Sequence, residues 1–584
     1  MKMKRFNLIP LALTTLMLGA CSSEDGLNLG GGNSVAQGEK GYISFSLNLP
    51  TVKSTANRAN DDFDDGVAAE YNVKDATLLL FSGANEGEAT FAGAYPLSLT
   101  GGTSDGDNIT TTYQIAQKVT KPVGANVYAM VIINGKTSNV LTESDGTWSI
   151  KGQELKASTT KYEDLAGAAY NLSNTDVANI ASTTGDGCFL MTNAPLYTQA
   201  GGVSNPTGGS VQTLTEINPN NIFTTEEEAK ANPAANVYVE RAVAKVTVTG
   251  NTTGTQDDGN IANYIINGWT LDVTNQSSYL VRNVKDADWW GLTADGKDYR
   301  FVGAAAVADG LYRTYWGIDP NYSTEGTFTT LAGTTPTSLK AVGENDYCLE
   351  NTFDLARMNQ DQTTRVIVAA ALDFNKDGKG DDFYVLDNDK SNTALTLEGI
   401  TNTIKAAYLA NGTVVGLLEA NLNGGESIGA DDLEVTFNGK ENTGGYVTVS
   451  EITINEASAS KFTNGIPEGL QAANNDAIIA DVNAAHKIAF YKGGVAYYPV
   501  MIKHFGDDLT PWVSGEYGSN NAKFLGRYGV LRNNWYSINV TGIKSIGDPE
   551  VPEIYGTPDD PSESWISVSI NILSWAKRSQ SVDL

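Results

Sequence analysis

Histidine is almost absent from this chain: only His486 and His504 occur among 584 residues. Neither has a partner at metal-ligand spacing, which removes most zinc and histidine-based hydrolase readings. Cysteine is nearly as scarce, at Cys21, Cys188 and Cys348. Cys188 and Cys348 lie so far apart in sequence that core thiols are the expected state rather than a disulfide. Basic side chains are outnumbered, 39 against 68 acidic ones, for a net charge of -29. Such a surface repels nucleic acid and anionic membranes, so a polyanion-binding role is disfavoured. Carboxylates are plentiful, yet no motif singles out a pair for glycoside hydrolysis. The chain reads as a non-enzyme.

The N-terminus begins with Lys2, Lys4 and Arg5, continues in a short apolar run from Leu8 to Leu18, and reaches Leu18-Gly19-Ala20-Cys21. That run is too short to span a bilayer, which takes about 20 apolar residues, and it has the build of a secretory signal. The residues ahead of Cys21 resemble a bacterial lipobox, which implies a lipid on Cys21. Glu24 and Asp25 follow closely and resemble the surface-export signals of lipoproteins in Bacteroides-like bacteria. A Gly/Asn/Ser stretch to about residue 38 has too little apolar content to fold and reads as a tether.

Two segments near the chain ends share a pattern, Ile43-Ser44-Phe45-Ser46-Leu47-Asn48-Leu49 and Ile566-Ser567-Val568-Ser569-Ile570-Asn571-Ile572. Strict alternation predicts half-buried strands with Ile43, Phe45, Leu47 and Leu49, or Ile566, Val568, Ile570 and Ile572, on one face. Both could fill the same groove, the requirement for polymerisation by strand addition. Just after the first segment lies Arg58, the only arginine between Arg5 and Arg241, among small polar residues that read as an exposed loop. Before the second lie Pro549, Pro552, Pro558 and Pro561 within residues 548–564, a semi-stiff linker that spans about 50 Å when stretched.

Between the ends, 41% hydrophobic residues supply a sizeable core. Runs such as Thr77–Phe81, Val127–Ile133 and Arg365–Val368 are broken by Gly, Thr, Asn, Ser and Asp clusters. Frequent turn signals and few helical periods predict a mostly β, sandwich-type fold. Residues 226–236 read as a short helix or connector at a domain boundary, and the alternating run Val237–Val248 as the opening of a second domain. Asp373, Asn375, Asp377 and Asp381 fall in a run like the start of a calcium loop, but Tyr384 stands where the bidentate glutamate belongs. An Asp/Asn/Gly hairpin turn is the first reading, a calcium site the second, and no other cofactor is expected. The pairs Trp289-Trp290 and Tyr497-Tyr498 could stack sugars, or be one buried and one rim residue each.

Several stretches resemble the fimbrillin family of Bacteroidales, the subunits of type V pili. They are Phe189–Pro195, Arg313–Gly317, Tyr347–Phe353 and, most specifically, Gly529–Val540 with its Arg532-Asn533-Asn534 core. Within the family the likeness is to the shaft subunit of the short fimbria, whose chain also ends in Val-Asp-Leu, here Val582-Asp583-Leu584. The resemblance implies two transthyretin-like β-sandwich domains, lipoprotein export, cleavage between Arg58 and Ala59 by an Arg-specific protease, and donor-strand polymerisation. The implied layout is a signal peptide at 1–20, a lipidated propeptide at 21–58, sandwich domains at 59–230 and 231–547, the linker at 548–564 and a donor segment at 565–584. Implied partners are further copies of the chain, accessory anchor and tip fimbrillins, the protease, and host or bacterial surface ligands. A surface lipoprotein that captures glycans without polymerising, and an anchor or tip fimbrillin, are the alternatives.

Overall fold

In the computed structural model the described residues are all but 1–34, 51–66, 105–109, 125, 173, 202–208, 257–261, 285–299, 308–309, 325, 391–392, 441, 506–509, 511–521, 561–565 and 575–584. The predicted first strand is present as Lys40–Pro50. It lies inside a nine-stranded sheet whose path runs through 90–96, 76–83, 126–133, 191–193, 236–241, 40–50, 110–120 and 103–104, with 215–217 added on 126–133. Side chains from both halves of that path, such as Phe45 with Leu47 and Leu78 with Phe81, share one core. One face of the first strand was expected in solvent. Instead Ser44 and Ser46 are buried as well as the apolar set, because the helix Glu226–Ala231 packs across that face. Thr225 caps this helix by accepting from the Glu228 N–H, as a short helix in an acidic stretch needs.

A second sandwich follows. One sheet orders 345–348, 244–250, 534–543 and 566–574, the other 253–255, 263–272, 365–373 and 495–501. Val246, Val248, Ile538 and Val540 from the first meet Val366, Val368, Tyr498 and Val500 from the second in a common core. The alternating run Val237–Val248 is therefore two strands in two sandwiches, Asn236–Arg241 and Ala244–Gly250. This moves the domain boundary from 230/231 to Ala242-Val243. No glycine or proline marks the crossing; the chain bends at Ala242-Val243, and the core-facing set shifts there from Val237 and Val239 to Val246 and Val248.

The second departure from expectation is helical. Strands Arg365–Asp373 and Val495–Met501 are direct neighbours, paired from Arg365 opposite Met501 to Ala371 opposite Val495. Residues 374–494 are inserted between them. They form a four-stranded sheet, 383–386, 488–491, 445–454 and 433–438, covered by helices Leu397–Ala410, Gly412–Asn421 and Asp476–Ala485. Ile400, Ile404 and Tyr408, four apart on one face, are fully buried there, and the module has a core of its own.

Within the module, Asp432 accepts from the Gly429 N–H at 2.8 Å, Ser458 Oγ at 2.6 Å and Lys461 Nζ at 2.8 Å. These hydrogen bonds, the backbone one foremost, hold its carboxyl down at about 2. A depressed carboxyl stabilises the fold above its unfolded value of about 3.9, and that stabilisation disappears as pH falls through about 2. We expect Asp432→Asn to cost about 1 to 2 kcal/mol at neutral pH. Urea melts followed by far-UV circular dichroism at pH 7 and pH 2 should show the difference narrowing at the acid end.

Candidate strand-exchange site

The first strand is held on both edges. It pairs antiparallel with 110–120 in unbroken register, from Lys40 opposite Thr120 to Pro50 opposite Thr110. On the other edge it meets Asn236–Tyr238 in parallel through Ser46–Asn48, and the chain just before extends the contact. The Tyr42 N–H donates to Phe223 O at 2.7 Å, and the Ala234 N–H donates to Ser44 O at 2.6 Å. Ile43, Phe45, Leu47 and Leu49 are exposed by 2% or less. Removing this strand would open a slot with unpaired backbone on both walls and an apolar floor. Cys21, Arg58 and Ala59 all lie outside the described residues.

The terminal strand, Ile566–Ser574, pairs antiparallel with Asn534–Ile543, with a bulge between Val540 and Gly542. It sits at the edge of its own sheet. Ile566 is buried, Val568 and Ile570 are half-buried against the core, and Ser569 is exposed. Ile572 stands opposite Tyr536 in the ladder. This edge strand is thus only partly enclosed where the first strand is fully enclosed.

The proline-rich segment before it is not a free linker over most of its length. The Val551 N–H donates to Thr334 O, the Asp559 N–H to Met358 O, and Thr557 O accepts from the Gln360 N–H. Arg365 donates to Pro552 O at 2.6 Å, and Tyr528 donates to Asp560 at 2.5 Å. Prolines lack the N–H that a ladder needs, but the carbonyls and the intervening amides suffice to dock residues 548–560.

The other sequence candidates resolve as structural elements. Asp373 accepts from the N–H groups of Asp377 and Gly378, and Asp381 from those of Phe374 and Asn375 and from the Asn375 amide. The loop is a self-bonded turn, and it is not a hairpin: its flanking strands, 365–373 and 383–386, belong to different sheets. Among the described residues no group of three or more His, Cys, Asp or Glu could hold a metal. Tyr497 and Tyr498 are both buried, which corrects the rim reading, while Trp289 and Trp290 lie outside the described residues. Cys188 and Cys348 are buried free thiols, and burial pushes both up from their usual value. His504 is locked between the Tyr536 hydroxyl at 2.7 Å and Tyr315 O at 2.8 Å.

Buried charge gathers at the crossing between the sandwiches, and composition gave no warning of it. Glu70, fully buried, sits 2.9 Å from Lys245 Nζ and accepts from the Tyr347 hydroxyl at 2.7 Å. Arg241 donates to Glu70 O at 2.9 Å, and Lys245 lies 3.4 Å over the Trp535 ring. Burial, then the Glu70 charge, pushes the Tyr347 phenol far above its usual value, so it remains a donor. Arg282 grips Glu240 with two bonds of 3.0 Å. Arg532 reaches Glu350 at 2.5 Å, Ser278 Oγ at 2.8 Å and Tyr279 O at 2.9 Å. Asn533, at φ 62°, accepts from the Arg241 N–H and donates its own to Val243 O. Asparagine tolerates that left-handed conformation better than most residues. The readable signal was Glu240-Arg241 inside a valine-rich run.

The described residues therefore define a mostly β protein built of sandwiches, with an enclosed first strand and a terminal strand at a sheet edge. Residues 489–581 match the family model described as "Major fimbrial subunit protein type IV, Fimbrillin, C-terminal", so this part of the chain is similar to fimbrillin C-terminal regions. Comparison with curated protein sequences finds no match. Among solved structures the chain is similar to a fimbrilin from Porphyromonas gingivalis W83, at 12% identity and TM-score 0.32, covering 92% of this chain and 98% of that one. It is also similar to a fimbrial assembly protein from Parabacteroides distasonis ATCC 8503, at 11% identity and TM-score 0.26, covering 56% and 81%. Likeness at such scores carries no argument about function.

Two substitutions probe the site and the crossing. Phe45→Ala should cost the full-length chain about 3 to 5 kcal/mol, read as a lowered denaturation midpoint. Glu70→Gln leaves Lys245 buried without a countercharge and should cost about 3 kcal/mol or more, whereas Lys245→Met in the same background should recover much of it. A double-mutant cycle by urea denaturation measures that coupling.

Proposed function

We propose that the chain is the shaft subunit of a cell-surface fimbria, exported as a lipoprotein on Cys21, cut between Arg58 and Ala59, and polymerised by donor-strand exchange. The observation that carries this reading is the enclosure of Lys40–Pro50 between 110–120 and 223–238. A strand so placed leaves a slot of defined register when the chain is severed behind it. The match of residues 489–581 to a fimbrillin C-terminal region supports the same class. The incoming strand brings Ile566, Val568, Ile570 and Ile572 to the positions of Ile43, Phe45, Leu47 and Leu49. Four such side chains contribute roughly 6 to 12 kcal/mol before ordering costs, and backbone pairing adds to that.

The docked arm alters how the donor travels. With 548–560 fixed to the parent sandwich, the segment that changes partner begins after Asp560 and includes about 24 residues, up to roughly 80 Å when extended. Leaving the half-buried edge position costs less than leaving the fully buried slot, which gives the exchange its direction. Accessory anchor and tip fimbrillins, an Arg-specific protease and surface ligands are the partners of this reading.

A second reading has one observation behind it: Ile566–Ser574 is already paired in its own sheet, as in a surface lipoprotein that never polymerises. The two separate experimentally. Purified precursor treated with an Arg-specific protease should give ladders that resist mild heating in SDS. Arg58→Ala and deletion of 565–584 should each abolish them. A cut, folded protein that stays monomeric with its terminal strand intact sinks the shaft reading.

A further inference from the structure

The inserted module at 374–494 reaches the proline-rich arm through Lys390–Asp548 and Lys440–Glu550 but pairs with neither end strand. It interrupts two strands that pair directly and has its own core. Its surface carries a groove of about 350 Å³. Phe490 and Val447 form a buried floor, while Tyr384, Phe437 and Leu397 stand as walls, Leu397 being 56% exposed. Tyr384 stacks on Phe490 at 4.7 Å and lies 6.2 Å from Phe437. The rim is polar: Asn438, an amide with donors and an acceptor, and the Asp382–Lys492 pair at 2.8 Å.

From this combination we propose that the groove binds a neutral hexose unit of a surface glycan. A pyranose presents a flat C–H face to aromatic walls and hydroxyls to a rim that both donates and accepts. The volume suits a ligand of one or two rings. The chain's net charge of -29 repels sulfated and sialylated glycans. A peptide entering as an added strand meets a locally twisted edge, because the inner strand 445–454 carries an extra residue, Ser450, opposite Thr436-Phe437 of the outer strand, at the groove. The inference stands apart from polymerisation, since every residue used belongs to one module of one chain.

The test uses uncut full-length protein on an array of neutral oligosaccharides, sialylated and sulfated glycans and aromatic peptides, followed by saturation-transfer NMR with the best neutral binder. The expected result is selective binding of neutral hexose oligosaccharides, weakened at least tenfold by Tyr384→Ala and by Asn438→Ala. Asn438 is exposed, so its substitution tests the groove even if the tyrosine variant unfolds, and circular dichroism checks both. Absence of neutral-glycan binding, preference for anionic glycans or peptides, or binding that survives Asn438→Ala in folded protein would overturn the proposal.

Discussion

One run of chain, Asn236 to Gly250, passes from the first sandwich into the second with only Ala242 and Val243 between its strands. The rest of the architecture hangs on it. In the first sandwich it is the parallel neighbour of Lys40–Pro50. In the second it is the parallel neighbour of Asn534–Ile543, which in turn holds the terminal strand. The two strands proposed to exchange are thus tied, directly or through one intervening strand, to a single run of chain that bends at Ala242-Val243. Their separation within a subunit is set by backbone pairing and not by a flexible joint.

Such a crossing has a cost, because alternation delivers polar side chains to the interface as surely as apolar ones. Glu240, Arg241 and Lys245 arrive there with almost no exposure. Glu240 is matched by Arg282 and Lys245 by Glu70, while Arg241 donates to the Glu70 backbone carbonyl. Buried pairs of this kind add little net stability over apolar packing, but they penalise every arrangement that separates them. Here that penalty selects one relative placement of the two sandwiches. The Arg532-Asn533-Asn534 motif serves the same junction, so the residues that most resemble a fimbrillin signature help join the two sandwiches.

Much of this was legible in the sequence, and the failures have physical causes. Period two in 43–49 and 566–572 located both end strands, since only an extended chain sends every second side chain to the same face. The crossing at 242–243 leaves no glycine or proline; its trace is a two-residue bend where the apolar set shifts from odd to even positions, a one-residue change easily lost in a valine-rich run. The helical module is hard to see in the sequence because its helices are rich in Ala, Gly, Thr and Asn, and only the fourfold spacing of Ile400, Ile404 and Tyr408 betrays the longest one. Prolines in 548–564 suggested a free arm, yet they fix φ and remove N–H donors while leaving every carbonyl able to accept. Docking through carbonyls and through the amides of Val551 and Asp559 is invisible to composition. The burial of Ser44 and Ser46 was likewise out of reach, for it depends on a helix nearly two hundred residues away in the chain.

The docked arm sets the two end strands apart in how much freedom each has to lose. Were 548–564 free, the donor could leave at any time and the terminal strand would be a loosely tethered peptide. Fixing 548–560 to the parent removes most of that conformational freedom before exchange, so less is lost when the donor enters a neighbour. It also restricts where the neighbour can stand, since the exchanging chain starts from one point on the second sandwich. A polymer built through a short segment anchored at a rigid base inherits a defined spacing and orientation from subunit to subunit. The enclosure of the two end strands suits the proposed exchange: the first is fully buried on its apolar face, the terminal one only in part.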